Sequence, residues 1–356
     1  MARIILGMSG GVDSSVAALM LRDAGHDVRG VFMKNYEPPP GSNQPCPWEQ
    51  DQRDVALVCE TLGIPWESWN FEKEYSARVL AYFFREYQAG RTPNPDVLCN
   101  REIKFGVFLK RARAEGFDAV ATGHYAQVRQ GSTGYQLCAA VDRNKDQTYF
   151  LHTVGQSELA RILFPIGHLK KSKVRTIAAA ANLPVATKPD SQGICFVGQV
   201  NVTEFLKGKV QSVPGKIETE DGTVVGEHQG LAFYTIGQRH GLGVGGGVPY
   251  YVAKKDAATN TLLVARGDKD PVLYASGLLA TGASWVAGTT PAEHFSCSAR
   301  IRYRQPLEQC SVQVIQGSLH VTFARPQRAI TPGQAIVFYD NEVCLGGATI
   351  ESTQAD

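Results

Sequence analysis

The first half of the chain alternates short hydrophobic, β-branched runs with longer amphipathic stretches. The hydrophobic runs predict strands, and the apolar positions of the amphipathic stretches recur with the period of a helix. The predicted strands are Arg3–Met8, Asp27–Met33, Pro65–Asn70 and Asp118–Thr122, and the predicted helices are Asp13–Asp23, Gln50–Leu62, Glu72–Tyr87, Val97–Glu115 and Lys170–Leu183. Strands that alternate with helices in this way form a parallel sheet covered on both faces, so we expect an α/β fold here.

From Val213 onward the pattern changes to short alternating segments separated by Gly and Pro. Segments such as LAFYTIG, TLLVARG, SVQVIQG and LHVTFAR predict antiparallel strands and small barrels. Asp340 and Asn341 lie between two such segments and predict a hairpin turn. The expected organisation is an α/β domain over 1–205, a central β-rich domain over 206–270 and a C-terminal antiparallel β-barrel over 271–356.

Two stretches between the predicted elements have the composition of loops. Residues 36–50 are rich in Pro, Gly, Ser and Asn, which favours a surface loop, and the position after a strand suggests a lid. Residues 187–198 carry no helical or strand period, so we expect an extended loop there. The chain contains no internal repeat and no low-complexity tail.

The composition is that of an ordinary globular protein of 356 residues, 43% hydrophobic and 20% charged. Lys and Arg outnumber Asp and Glu by only 36 to 34, so the overall charge neither predicts nor excludes a polyanionic partner. No run approaches the roughly 18 apolar residues of a membrane span, and we expect a cytoplasmic protein without a membrane partner. The eight cysteines contain no C-x-x-C pair, which disfavours a zinc ribbon and an iron–sulfur cluster.

The sharpest local signal is IILGMSGGVDSSVAAL, a strand that enters a glycine-rich turn and then a helix. Gly7, Gly10 and Gly11 permit the backbone angles of such a turn and let N–H groups approach an anion closely. Serine hydroxyls and the positive end of the helix dipole point at the same place, so the turn predicts a phosphate site. It lacks the lysine of a Walker A loop. The structural alternative is a tight turn in which Asp13 or Ser14 caps the helix.

Asp96 and Cys99 lie three residues apart at the start of a predicted helix, so both project from one face. The helix dipole favours a thiolate in the first turn and lowers the pKa of such a cysteine below about 8.5. A carboxylate at this spacing takes or gives a proton, although its negative charge opposes thiolate formation. In the structural alternative, Asp96 caps the helix and Cys99 is a buried core residue.

Cys195 lies in the segment DSQGICFVG, between Gly193 and Gly198, where no period predicts a helix or a strand. A cysteine in such a loop reaches solvent and a donor. The alternative is a small hydrophobic side chain packed between Ile194 and Phe196.

Together these segments resemble the tRNA-specific 2-thiouridylase family, and the resemblance covers essentially the whole chain. Its motifs stand here as GMSGGVDSS, FMKNY, GRTPNPDVLCNREIKFG, ATGHYA, NKDQTYFL, DSQGICFVG, GEHQGLAFYTIGQRHGLG and EVCLGG. The first is similar to the S-G-G-x-D-S loop of N-type ATP pyrophosphatases, which split ATP into AMP and pyrophosphate. The resemblance implies a domain of that type followed by two smaller β-rich domains, the last an RNA-binding β-barrel. The implied activity is ATP-dependent 2-thiolation of the wobble uridine of tRNA.

The resemblance also implies roles for individual residues. Cys99 is the implied nucleophile, Cys195 the persulfide carrier and Asp96 an acid or base. The implied contacts with ATP are Gly7, Met8, Ser9, Gly10, Gly11, Val12, Asp13, Ser14, Met33 and Gly123. The implied contacts with the target base are Asn94, Pro95 and Asp96, and those with the tRNA are His124, Lys145, Asp146, Gln147, Arg302, Tyr303 and Gln334.

The expected chemistry begins with attack of the uridine C2 oxygen on the α-phosphate of ATP, because that oxygen is otherwise a poor leaving group. Mg²⁺ accompanies ATP, with Asp13 as a candidate ligand, and no permanent metal or iron–sulfur cluster is expected. Sulfur from a persulfide on Cys195 then replaces AMP, either directly or as sulfide released by Cys99. Both routes join Cys99 to Cys195, so a persulfide sulfur-donor protein and a reductant are expected partners.

The expected RNA partner is the anticodon loop of a tRNA, since a base leaves a single-stranded loop at lower cost than a duplex. Tyr303 can stack on a base or a ribose. Candidate phosphate contacts in the β-rich part are Arg300, Arg302, Arg304, Arg325 and Arg328. The alternative for these arginines is a solvated strand face.

Three other functions remain open on the sequence alone. An amidotransferase-type synthetase uses the same phosphate loop but needs neither Cys99 nor Cys195. A sulfur-transfer enzyme with an iron–sulfur cluster is disfavoured by the cysteine spacing. A non-catalytic RNA-binding module accounts for the β-rich half but not for the phosphate loop.

Overall fold

The structure of the chain is a computed structural model that describes residues 1–38, 47–132, 134–190, 202–245 and 247–354. The helices in these ranges are α1 Val12–Asp23, α2 Pro47–Leu62, α3 Glu72–Tyr75, α4 Ala81–Gln88, α5 Pro95–Leu98, α6 Leu109–Ala114, α7 Thr148–Leu151, α8 Gln156–Leu159, α9 Lys171–Ala180 and α10 Val202–Leu206. The strands are β1 Arg3–Met8, β2 Asp27–Lys34, β3 Trp66–Asn70, β4 Ala119–Thr122, β5 Ala126–Gly131, β6 Gly134–Ala139, β7 Ile162–Leu163, β8 Gly215–Thr219, β9 Val224–His228, β10 Tyr250–Asp256, β11 Thr261–Arg266, β12 Tyr274–Trp285, β13 His294–Arg300, β14 Glu308–Ile315, β15 Ser318–Arg328, β16 Ala335–Asp340 and β17 Val343–Gln354.

The first part of the chain forms a parallel sheet of five strands in the order β3-β2-β1-β4-β7. Side chains alternate across β1, so that Ile4 and Leu6 pack into one core with α1, whereas Ile5 packs into a second core on the opposite face. All three are fully buried, as expected of a strand covered on both faces. The predicted α/β fold is confirmed.

The order of the strands reverses at β1, whose two neighbours are β2 on one side and β4 on the other. In an open parallel sheet, ligands bind at the carboxyl ends of the strands beside such a reversal. The turns that leave β1 and β4 therefore border the expected ligand crevice.

Several predicted boundaries differ from those in the structure. Helix α2 begins at Pro47 instead of Gln50, because proline has no N–H to satisfy and suits the first turn of a helix. Helix α9 ends at Ala180 instead of Leu183, because Asn182 adopts a φ of 51° and stops the helical path. The lid predicted over residues 36–50 falls largely on 39–46, which lie outside the described residues, and it stays a prediction.

Two predicted helices each contain a π-helical segment. Ser76–Leu80 joins α3 to α4, and Cys99–Phe108 joins α5 to α6. Segments of π-helix inside α-helices occur frequently at functional sites. The second one begins at the predicted nucleophile.

The central part forms a four-stranded sheet in the order β10-β11-β8-β9 around a small core that includes Ile217, Val252 and Leu262. The last part is a closed antiparallel barrel of six strands, because β17 pairs with both β16 and β12. Asn341 has a φ of 51° at the turn between β16 and β17, which confirms the predicted hairpin. The prediction of two β-rich domains, the second a barrel, is confirmed.

The sequence analysis missed the hairpin formed by β5 and β6. It follows β4 in the chain but extends the sheet of the barrel, where Leu137 and Cys138 pair with Cys344 and Val343 of β17. The signal for it was present, since alternating segments flank the turn residues GSTG. The first part of the chain and the barrel therefore share one sheet.

Candidate functional site

The turn between β1 and α1 is a tight cradle that leaves no room for side chains at its centre. Gly10 has a φ of 70°, and a Cβ there would lie 2.5 Å from the carbonyl oxygen of Asp51. The hydroxyl of Ser14 accepts the N–H of Ser9 at 3.3 Å and donates to the carbonyl of Gly11 at 3.1 Å. Gly11 is the N-cap, and among the described residues no side chain caps this helix end. Ser14 therefore does not cap this helix.

The strand ends on either side of the sheet reversal meet at this turn. A Cβ on Gly123, just after β4, would lie 2.6 Å from the backbone nitrogen of Ser14. A Cβ on Gly7 would lie 3.0 Å from Cε of Met33. The structure thus brings Gly7, Met33 and Gly123 together with the glycine-rich turn, in the crevice that the strand order predicts.

A lysine that the sequence analysis did not single out lies in front of the turn. Nζ of Lys171 is 2.7 and 2.8 Å from the two carboxylate oxygens of Asp13 and 2.7 Å from Oδ1 of Asp190. The hydroxyl of Tyr125 donates to Oδ1 of Asp13 at 2.8 Å. The only signals in the sequence were the positions of these residues, because Lys171 lies in the first turn of a predicted helix and Asp190 starts the motif DSQGICFVG.

A second lysine supports the back of the turn. Nζ of Lys188 donates to the carbonyl of Gly10 at 3.0 Å and to the carboxylates of Asp51 and Asp54 at 2.6 and 2.5 Å. Burial opposes ionisation of this lysine, but the two carboxylates outweigh it and raise its pKa. Lys188 therefore stays protonated and ties α2 to the turn.

The side chain of His124 is buried in the protein. It is 8% exposed, and its ring nitrogens lie 2.8 Å from the hydroxyl of Thr122 and 3.3 Å from Nζ of Lys104. Burial, and then the charge of Lys104, hold the pKa of His124 well below its usual 6.5. Its predicted contact with tRNA stays a prediction.

Residues 145–147 also have partners inside the protein. Lys145 donates to Asp190 at 2.6 Å, Asp146 is 1% exposed, and Gln147 accepts the backbone N–H of Tyr125 at 2.9 Å. Lys145 and Gln147 thereby contact Asp190 and Tyr125, two residues beside the glycine-rich turn. The predicted role of residues 145–147 in RNA contact likewise stays a prediction.

A cavity of about 280 Å³ opens where the α/β part meets the barrel. It is lined by residues predicted to contact the target base or the tRNA, and also by aromatic residues that the sequence analysis missed. The lining consists of Phe83, Tyr87, Pro93, Asn94, Pro95, Asp96, Tyr149, Phe150, Val202, Tyr303 and Gln334. Flat aromatic walls beside a few polar groups are what an unstacked base requires.

The helix that carries Asp96 and Cys99 starts at this cavity. Asn94 is its N-cap and accepts the N–H of Val97 at 3.4 Å, so Asp96 is not the capping residue. Asp96 lines the cavity, whereas Cys99 is fully buried in the core that also contains Phe83. The structure therefore places only one of the two side chains at the cavity surface.

Cys195 lies outside the described residues. The described residues that flank its segment are Asp190 and Val202. Asp190 binds Lys171 beside the glycine-rich turn, and Val202 lines the cavity.

The barrel holds the segment that leads into this helix. Nε2 of Gln334 donates to the carbonyls of Thr92 and Pro93 at 2.9 and 3.0 Å, and the N–H of Thr92 donates to the carbonyl of Pro332 at 3.0 Å. Gly333 has a φ of 91°, and a Cβ there would lie 2.8 Å from the carbonyl oxygen of Thr92. The loop before Asn94 is thus fixed by the C-terminal part of the chain.

The five candidate arginines differ in their partners. Arg302 donates at 2.8 Å to the carbonyls of Ile236 and Ala329, so its guanidinium bonds within the protein. Arg304 is exposed and lies 5.1 Å from the centroid of the Tyr303 ring. The partners of the others are Asp146 for Arg300 at 3.8 Å, the ring of Tyr251 for Arg328 at 4.9 Å and Glu308 for Arg325 at 2.6 Å.

Comparison with known proteins gives matches along the whole chain. The family model described as tRNA methyl transferase HUP domain matches residues 2–199, the tRNA methyl transferase PRC-barrel domain matches 203–266, and the Aminomethyltransferase beta-barrel domain matches 275–350. The tRNA-specific 2-thiouridylase MnmA of Halalkalibacterium halodurans is 52% identical over 351 residues, which cover 98% of this chain and 94% of the relative. The chain belongs to the tRNA-specific 2-thiouridylase family.

Other members of the family have similar identity. The tRNA-specific 2-thiouridylase MnmA of Francisella tularensis subsp. holarctica is 51% identical over 355 residues, covering 98% of this chain and 99% of the relative. MnmA 2 of Geobacillus kaustophilus is 50% identical over 351 residues, with coverage of 98% and 94%. A solved NMN synthetase from Francisella tularensis has a TM-score of 0.33 at 19% identity, covering 53% of this chain and 67% of its own.

Within the described ranges, no group of three or more His, Cys, Asp or Glu side chains is placed to hold a metal ion. No helix in the same ranges is long and apolar enough to cross a membrane.

Proposed function

We propose that this chain is an ATP-dependent tRNA sulfurtransferase that replaces the C2 oxygen of the wobble uridine with sulfur. The relatives that span nearly the whole chain are named tRNA-specific 2-thiouridylases. The observation that carries the proposal is the cavity, because Asn94 and Asp96 meet Tyr303 and Gln334 of the barrel there. Two distant parts of the chain thus form one site of a size and composition that suit an extruded pyrimidine.

The glycine-rich turn fits the phosphates of ATP. Gly10 and Gly123 stand where a Cβ would collide with the backbone, so main-chain N–H groups can approach an anion closely. The turn precedes the twelve-residue helix α1, whose N-terminus favours negative charge. Asp13 would hold Mg²⁺, which neutralises charge on the departing pyrophosphate.

The cavity fits the base that is modified. Phe150 and Tyr303 lie with ring centroids 4.6 Å apart, and rings of this kind stack on an unpaired base. Asn94 and Asp96 add polar groups at the same wall. A pyrimidine turned out of the anticodon loop would be held there by stacking and hydrogen bonds.

The proposed reaction has three steps, after which a reductant restores the enzyme. The uridine O2 attacks the α-phosphate of ATP, the bond to the β-phosphate breaks, and pyrophosphate leaves. The terminal sulfur of a persulfide on Cys195 then bonds to C2, and AMP leaves with the former O2. Attack of the Cys99 thiolate on Sγ of Cys195 releases the thiocarbonyl and forms a disulfide, which a dithiol reductant returns to two thiols.

Burial of Cys99 sets a condition on this reaction. The thiol has no exposure in the structure, so the helix start at Asn94 must open when tRNA binds before the Cys99 sulfur can reach Sγ of Cys195. Asp96 already faces the cavity and is the candidate acid or base. The segment that carries Cys195 is tethered beside the nucleotide turn at Asp190 and at the cavity wall at Val202, which supports a carrier working between the two.

Nucleoside mass spectrometry of tRNA treated with enzyme, ATP and a persulfide source tests the proposal. We expect 2-thiouridine with the natural chain and none with Cys99→Ser or Cys195→Ser, whereas tRNA-dependent release of pyrophosphate persists in both variants. Cys59→Ser is the matched control, because this thiol is equally buried but lies in the other core. Formation of 2-thiouridine by both active-site variants would refute the roles of the two cysteines, and pyrophosphate release without 2-thiouridine in the natural chain would favour the synthetase alternative. Binding of tRNA without any pyrophosphate release would favour the RNA-binding module.

A further inference from the structure

Three cationic side chains converge on one carboxylate beside the glycine-rich turn. Asp190 binds Nζ of Lys145 at 2.6 Å, Nζ of Lys171 at 2.7 Å and Nη2 of Arg175 at 2.9 Å. Burial opposes its ionisation, but the hydrogen bonds from Lys145 and Lys171 and their charges lower its pKa to about 2. Asp190 is therefore ionised, and its single negative charge is surrounded by three positively charged side chains.

Lys171 connects this site to the nucleotide turn. Its Nζ reaches both carboxylate oxygens of Asp13, and only 14% of its side chain is exposed. Lys171 is also the first residue of the ten-residue helix α9, and Asp13 lies in the first turn of α1. The ion pair thus links the start of α9 to the first turn of α1, where the positive end of the α1 dipole favours an anion.

Binding of Mg²⁺ to Asp13 would take away one partner of Lys171. Lys171 would then share the single carboxylate of Asp190 with Lys145 and Arg175, which leaves the three cations short of negative charge. A phosphate oxygen supplies that charge and can also displace Asp190, because a phosphate chain offers several acceptors to the three cations. The turn GMSGGVDSS itself contains no lysine or arginine for this purpose.

We propose that Lys171, backed by Lys145 and Arg175, binds the β- and γ-phosphates of ATP, and that Asp190 is the internal anion that occupies this place before ATP arrives. This inference rests on the proposed function, since it deepens the assignment of the nucleotide site. Lys171 would then hold the leaving pyrophosphate while the base attacks the α-phosphate, and it contacts the reacting group directly.

Calorimetric titrations of the full chain with ATP and Mg²⁺, with inorganic pyrophosphate and with AMP test the inference. Lys171→Met should weaken binding of ATP and pyrophosphate by about tenfold to a hundredfold, the usual loss for a hydrogen bond to a charged group, and leave AMP within about twofold. Lys171→Arg should restore most of the loss because it keeps the charge. Lys173→Met on the exposed side of the same helix is the matched control and should behave like the natural chain.

Asp190→Asn provides a second measurement that does not remove the lysine. If Asp190 only competes with phosphate, this variant binds pyrophosphate as tightly as the natural chain or more tightly. Weaker pyrophosphate binding by Asp190→Asn would overturn the inference, as would an equal loss of ATP and AMP affinity in Lys171→Met. A Lys171→Met variant with weaker tRNA binding but unchanged pyrophosphate binding would assign the cations to RNA instead. If the natural chain binds neither ATP nor pyrophosphate, the proposed function itself fails.

Discussion

The side-chain amide of Gln334, in the barrel, donates hydrogen bonds to the carbonyls of Thr92 and Pro93, in the α/β part. This contact determines where the helix start at Asn94 lies. A residue predicted from family resemblance to contact RNA is therefore used within the protein to position the loop that lines the cavity. Both roles can be separated by experiment, because one acts on turnover and the other on tRNA affinity.

Gln334→Ala should lower kcat for thiolation by about tenfold, since two hydrogen bonds of about 0.5–1.5 kcal/mol each no longer fix the loop. The Kd for tRNA should change by less than about twofold. Steady-state kinetics and a filter-binding assay measure the two quantities. Gln309→Ala, at an exposed position of β14, is the control. A large rise in Kd with unchanged kcat would instead identify Gln334 as an RNA contact.

Gly10→Ala should abolish most ATP binding and lower the melting temperature. The new Cβ would lie 2.5 Å from the carbonyl oxygen of Asp51, so the turn must move, and each misplaced donor to a phosphate costs about 1.5–3 kcal/mol. Gly25→Ala separates this collision from backbone strain, because Gly25 has a φ of 80° with nothing within 4 Å of its Cβ position. That variant should lose about 1–2 kcal/mol of stability and keep its ATP affinity. Equal ATP affinities in the two variants would contradict the phosphate site.

Arg304→Ala should reduce the dependence of tRNA affinity on salt. Arg304 is exposed, and removal of one phosphate contact lowers the slope of log K against log salt by about 1. Arg302→Ala should leave the slope unchanged, since Arg302 already donates to the Ile236 and Ala329 carbonyls. Binding isotherms at several salt concentrations give both slopes. The opposite ranking would mean that Arg302 leaves its internal partners when RNA binds.

His152 should make the protein less stable as the pH falls. Its ring is 3% exposed and lies 2.8 Å from the carbonyl oxygen of Tyr149, and burial lowers its pKa from 6.5 to about 4. The unfolded chain therefore binds more protons between these values, so stability declines from pH 6.5 to about 4, by about 3 kcal/mol in total.

Urea unfolding of the natural chain and of His152→Gln between about pH 7.5 and pH 4.5 checks this. The variant should lack the part of the decline that comes from His152, because glutamine has no proton to gain, whereas the part that comes from the buried His124 remains. His294→Gln, on an exposed strand position, should keep the full decline. Parallel curves for the natural chain and His152→Gln would assign the pH dependence to other groups.

The sequence was sufficient to predict those elements whose residues are determined by local structure alone. The strand β1 was predicted with the bounds it has, because its apolar run is buried on both faces, and the glycine-rich turn after it follows from residues that only a tight turn needs. The barrel was also foreseeable, since its strands alternate with the period of two and are separated by turn residues.

The sequence was insufficient where distant segments meet. Nothing local to Lys171 indicates that it reaches Asp13, which lies 158 residues earlier. Tyr149 and Phe150 line the cavity together with Tyr303 because β16 of the barrel contacts α7, where the Tyr149 hydroxyl donates to the carbonyl of Ala335. No pattern in the segment around Tyr149 indicates that contact. Cys99 is likewise buried in a core that also contains Ile5, Phe83 and Phe205, which are distant from it in the chain.

The docking of the hairpin β5–β6 on β17 has a consequence during biosynthesis. Val343 of β17 follows Ala139 of β6 by 204 residues, which a ribosome adds in about 10–40 s at about 5–20 residues per second. Throughout that interval the outer edge of β6 in the nascent chain has unpaired backbone groups, and such edges recruit other polypeptides. A chaperone that covers this hairpin during synthesis would therefore lower the fraction of newly made protein that aggregates.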